Sequence, residues 1–147
     1  MLLVPRHRPR DPATSRRGAA VVEFALLAPL LMTVFLGMVE MSRVMMVEQV
    51  LNNAAREGAR TSVLAGSTTS DVRTEVSHYM TNSGVPLTDP TNQISVSPDP
   101  TSATAGTSIT VSVNVPYSTV SWLPISLFMG NRTLSASVVM RKESNNT

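Results

Sequence analysis

Ala19 to Val39 reads AAVVEFALLAPLLMTVFLGMV, an apolar run of 21 residues in which Glu23 is the one charge. As a helix it extends about 31 Å, against a hydrocarbon layer of about 30 Å, so the pattern predicts a membrane span. It exceeds the apolar core of a cleaved secretory signal, typically about 7 to 15 residues. Past Val39 the run gives way to a helical period. Val44, Val47, Leu51, Ala54, Ala55 and Gly58 recur at steps of three and four, with Glu40, Arg43, Glu48, Asn52, Arg56 and Arg60 assigned to other faces. The helix is therefore expected to run to about Leu64, with Glu57 and Arg60 as a surface pair. The Ala and Gly positions let another element approach closely. Two occupants fit this stripe: the chain's own tail or a neighbouring subunit.

Gly66 to Ser70 reads as a break, after which Asp71 is expected to cap a short helix running to about Met80. Val72, Val76 and Tyr79 share one of its faces, and Ser83-Gly84 ends it. Val85 to Gly106 is rich in Pro, Thr, Ser and Asp, with only Ile94 and Val96 suggesting a strand. The clearest strand is Ser108 to Tyr117, where Ile109, Val111, Val113, Val115 and Tyr117 alternate with polar residues and Pro116. Leu134, Ala136, Val138 and Met140 repeat the alternation before Arg141, Lys142 and Glu143. Ser118 to Gly130, with Trp122, Pro124 and Phe128, reads as an apolar connection. The expected fold is α+β and membrane-anchored, a long N-terminal helix followed by a small antiparallel sheet of two or three strands. So small a sheet needs cover, and the amphipathic part of the long helix is the element available. The chain thus divides into a leader (1–18), a transmembrane helix (19–39, Ala19 to Val39), an amphipathic helical extension (40–64) and an extracytoplasmic tail (65–147).

Charge sets the orientation. Residues 1–18 carry Arg6, Arg8, Arg10, Arg16 and Arg17 against Asp11 alone, a balance of +4 in a chain of net charge +2. Basic residues just before a span hold that end in the cytoplasm, which sends the C-terminus out of it. An Arg-rich arm also suits nucleic acid, but the adjoining span assigns this one to the membrane. With no Cys in 147 residues, neither disulfides nor thiolate metal sites are available. His7 and His78 fall on opposite sides of the membrane, so they cannot pair on a metal or a proton. His78 stands three residues after Glu75, a surface spacing. No phosphate loop, nucleophile elbow or acidic metal cluster is present. The sequence calls for no enzyme activity, cofactor, nucleic acid or small-molecule substrate.

One residue calls for an explanation. A carboxylate at the bilayer centre costs about 2.5 to 3.5 kcal/mol even on lenient scales. Glu23 lies close enough to the cytoplasmic end to reach the headgroups, which makes it tolerable without explaining its context. That context is Arg16-Arg17-Gly18 followed by Ala19-Ala20-Val21-Val22-Glu23-Phe24. A basic leader ending in Gly, with Glu five residues on, resembles the type IV pilin class. More narrowly, GAAVVEFALLAPLL followed by VLNNAAREGAR is similar to the TadE-like family, the minor pseudopilins of tight-adherence pilus systems. The resemblance covers Arg16 to Leu64, and Val115-Pro116-Tyr117 with a last strand into Met140-Arg141-Lys142-Glu143 is also similar.

The resemblance implies that a prepilin peptidase cuts between Gly18 and Ala19, and that partners are other pilins or pseudopilins and the pilus assembly machinery. It also implies a role for Glu23 as the counter-ion of the new Ala19 ammonium, within the subunit or across to a neighbour. Pro29 frees a carbonyl inside the span, a feature that spans tolerate and that assembly can use. The expected location is the cell's inner membrane. Two other readings stay open: an uncut single-pass adaptor of a secretion or pilus machine, and a membrane-tethered extracytoplasmic binding module.

Overall fold

The computed structural model describes residues 12–121 and 132–142. It divides into two units, Met1–Val39 and Glu40–Thr147. Helix α1, Pro12–Ser62, belongs to both. It begins earlier than the span, because Pro suits a first helical turn and a single Gly at position 18 costs a helix only about 1 kcal/mol. It stops two residues short of Leu64, where Leu64 N–H bonds the carbonyl of Thr61 in a closing turn.

In the first unit, the large apolar side chains of α1 are uncovered: Leu26 is 74% and Phe24 69% exposed. A helix apolar all round with no protein cover is built for lipid. Its mean hydropathy reaches 2.2, and its length and composition suffice to cross a membrane.

In the second unit the same helix changes character. Val44, Val47, Leu51, Ala54, Ala55 and Ala59 are buried, and they share one core with the rest of the tail. The stripe is thus occupied by the chain's own tail. Gly58 marks the closest approach: a Cβ there would overlap Val76 Cγ2 and lie 3.3 Å from Val111 Cγ1 and 3.4 Å from Val72 Cγ1. Only hydrogen fits between α1, the second helix and the middle strand.

Helix α2, Thr69–Asn82, buries Val72, Val76 and Met80. Its N-cap is Thr68 rather than Asp71. Thr68 Oγ1 accepts from Asp71 N–H at 3.2 Å while Asp71 Oδ2 accepts from Thr68 N–H at 2.9 Å, a reciprocal capping box. Tyr79 is only partly buried, and Met80 takes the central place expected of it. Gly84, at φ +74°, ends the helix in a left-handed turn in which Val85 N–H bonds Met80 O at 3.0 Å.

Within the polar middle a one-turn helix, α3 (Pro90–Gln93), departs from the expected loop. Asp89 caps it by accepting from the N–H groups of Thr91 and Asn92, and Pro90 sets its first turn. It leads directly into β1, Ile94–Ser97. Strands β2, Ser108–Pro116, and β3, Thr133–Arg141, complete an antiparallel sheet of order β1-β2-β3.

Register places Ile94 opposite Val113, and Val113 opposite Ala136. Alternation is clean on β2, whose Ile109, Val111, Val113 and Val115 are fully buried. It fades along β3, where Leu134 and Ala136 are buried and Val138 and Met140 only partly. The outer face is polar, with Ser112 Oγ donating to Ser137 Oγ across the strands at 2.9 Å. Three strands, α2 and the second half of α1 thus enclose one small core. Most of the apolar connection, including Trp122, Pro124 and Phe128, lies outside the described residues.

Candidate functional site

Gly18, Ala19 and Glu23 all lie within α1 and are exposed, and nothing stands within 4 Å of a Cβ built on Gly18. Ala19 and Glu23 are four residues apart, one above the other on the same helix face, about 6 Å along the axis. Pro29 sits inside α1, and its carbonyl accepts from Thr33 Oγ1 at 2.8 Å. Between Phe24 and Phe35 an open apolar groove is floored by Ala25, Ala28 and Pro29.

A second cluster opens the other unit, and sequence reasoning missed it. Glu40 is 4% exposed, although its charge suggested a wet face. Its Oε1 accepts hydrogen bonds from the hydroxyls of Tyr117 and Ser121. Its Oε2 is buried with no partner among the described residues. Two segments of the tail meet here: Tyr117–Thr119 form a 3-10 turn, and Tyr117 N–H bonds Arg132 O, just before β3, at 2.8 Å. Arg43 reaches the same segment, its Nε donating to Val120 O at 3.2 Å.

Burial pushes the Tyr117 phenol above its ordinary pKa, and the hydrogen bond to Glu40 adds to the effect. The signal for Glu40 was present in the spacing. It stands four residues before Val44 and seven before Val47, on the stripe itself.

Among the described residues, no group of three His, Cys, Asp or Glu side chains is arranged to hold a metal ion. His78 contacts Asn82 Nδ2 at 3.3 Å on the outer face of α2, and Arg60 pairs with Glu57 at 3.8 Å on exposed α1. Both contacts are ordinary surface features.

Comparison with known proteins agrees with the resemblance read from the N-terminal half. Residues 18–60 match the family model described as TadE-like protein. The match supports association with a tight-adherence pilus system for this stretch of chain. It contains Gly18, Ala19, Glu23 and Pro29, the uncovered stretch of α1 up to Val39 and the whole buried stripe from Val44 to Ala59. Neither the curated proteins nor the solved structures yield a match.

Proposed function

We propose that this chain is a minor pseudopilin of a tight-adherence pilus, a structural subunit rather than a catalyst. The observation that carries the reading is the match over residues 18–60, which starts at Gly18 and includes Glu23 five residues on. The uncovered apolar surface of α1 between these residues and Val39 supports the same reading. In this account α1 crosses the inner membrane with residues 1–18 in the cytoplasm and the Glu40–Thr147 unit outside.

Maturation follows from the local chemistry of Gly18. A peptidase needs extended backbone, whereas Gly18 and Ala19 are helical here. Gly is the residue at which a helix opens most readily and at which another backbone can approach most closely. Cutting there creates an ammonium on Ala19 one turn from Glu23. Two opposite charges at the membrane boundary then satisfy one another, within a subunit or between neighbours.

Intact mass of the membrane-extracted protein tests the reading. The expected chain begins at Ala19. One retaining residues 1–18 favours an uncut adaptor instead. A phosphatase joined after Thr147 should be active and one joined to the leader silent; the reverse would invert the topology.

A further inference from the structure

From Glu40 to Val47 the helix presents two opposed faces. Its inner face carries Glu40, Val44 and Val47, buried against the tail. Its outer face carries Met41, Ser42, Met45 and Met46, all exposed, at 45%, 53% and 47% for the three methionines. At about 100° per residue these four outer positions cover an arc of roughly 140°. The next outer residues, Glu48, Gln49, Asn52 and Asn53, are polar and exposed. The uncovered apolar surface therefore ends between Met46 and Glu48, about 10 Å beyond Val39.

Of the two charges in this stretch, Glu40 is withdrawn from that face and Arg43 lies at its edge. Glu40 is buried under the hydroxyls of Tyr117 and Ser121, while Arg43 Nε donates to Val120 O and its Nη1 reaches Met46 Sδ at 3.5 Å. A solvated helix has no need to bury a carboxylate while exposing its methionines. A helix at the membrane boundary does: a carboxylate facing the acyl chains is costly and thioethers are not, while an arginine at the edge can reach the headgroups. A partner helix would be met by a narrow seam, whereas so broad an arc of three methionines, interrupted only by Ser42 and continuous with the exposed surface of the span, suits lipid.

We propose that the Met41–Met46 face of α1 is seated in the outer interfacial layer of the bilayer, in contact with lipid. The base of the folded unit then rests in the membrane surface instead of standing clear of it. This rests on the reading of α1 as a membrane span.

Because the chain has no Cys, single-cysteine spin labelling is clean. Variants Met41→Cys, Met45→Cys, Gln49→Cys, Asn53→Cys and Leu30→Cys of the full chain would be reconstituted in phosphatidylcholine–phosphatidylglycerol vesicles. Collision with oxygen and with a water-soluble nickel complex reports depth. The expected result is that the Met41 and Met45 labels gain oxygen collisions and lose nickel collisions relative to Gln49 and Asn53. If Met45 behaves like Gln49 while Leu30 reports lipid, the proposal is wrong and the span stands. If Leu30 also reports water, the span itself fails. Labels shielded from both reagents, and freed on dilution with unlabelled protein, would assign the face to a second copy and overturn lipid contact.

Discussion

The phenol of Tyr117, just past the end of β2, donates its hydrogen to Oε1 of Glu40, the first residue of the second unit. Tyr117→Phe keeps the ring and deletes this donor, leaving a buried carboxylate oxygen with Ser121 alone. Removing one partner of a buried polar pair costs about 1 to 3 kcal/mol, read as a lower midpoint in chemical unfolding of the detergent-solubilised protein. An unchanged midpoint would deny the pair any structural role.

The same pair predicts an alkaline limit. Tyr117 holds its proton more tightly when folded than its ordinary value of 10.0 implies. Stability from this source is complete below about pH 10 and is lost as pH rises through the higher folded value. Wild-type protein should therefore lose stability above pH 10 more steeply than Tyr117→Phe. Parallel alkaline curves would contradict the assignment.

Gly58 should tolerate no side chain. Alanine there gains about 1 kcal/mol of helix propensity but must displace Val76, and overpacking a core typically costs about 1 to 3 kcal/mol. Gly58→Ala is expected to be net destabilising and Gly58→Leu more so. Adding Val76→Ala to Gly58→Ala should recover part of the loss, because it vacates the space the new methyl enters. The unfolding midpoints of the four proteins decide it.

Truncation separates the two parts of α1. Residues 65–147 lack Val44, Val47, Leu51, Ala54, Ala55 and Ala59, leaving the inner face of a three-stranded sheet without its largest cover. Three short strands with α2 bury too little apolar area to offset chain entropy. That fragment should be largely unfolded by circular dichroism, whereas residues 40–147 should melt cooperatively. A cooperative transition in the shorter fragment would show that the helix is dispensable.

Glu23→Gln should insert and be cut, because the proposed cleavage bond Gly18–Ala19 is untouched and an amide enters lipid more easily than a carboxylate. It should fail in assembly, having lost the counter-ion of the Ala19 ammonium. Gly18→Phe should instead block cutting. Mass spectrometry and membrane cross-linking distinguish the two variants, and normal assembly of Glu23→Gln would remove the charge-pair mechanism.

The elements that were legible in the sequence were those in which one rule acted alone. Strand β2 alternates strictly and folds so, and the stripe of α1 keeps its helical period from Val44 onward. Glu40 was misread because residue type was weighed above position, although its place in the period was correct. Asp71 was assigned the cap that Thr68 holds, since a capping box makes the two residues partners and either identity alone looks sufficient. The turn of α3 was announced by Asp89-Pro90 but hidden in a stretch where every neighbour also favours loops. The stripe's own pattern left its occupant open, and only the sheet's need for cover pointed to the tail. Small residues invite any close neighbour, and only the fold shows that the tail takes the place.

The way the core is assembled also sets a timetable. Its first contributor is α1, near the start of the chain, while the pairing Val113–Ala136 must wait for β3, which ends at Arg141. If the amino end is made and inserted first, Val44 to Ala59 must cross with their partners not yet delivered. Val72, Val76 and Met80 of α2 can cover only part of it early, because the β2 and β3 partners lie some fifty or more residues downstream, and such long-range closure is slow. During such a crossing the stripe is an adhesive surface only partly covered. A neighbouring subunit at the same stage presents an identical one, so crowding at the export site turns an intramolecular core into a potential exchange between chains.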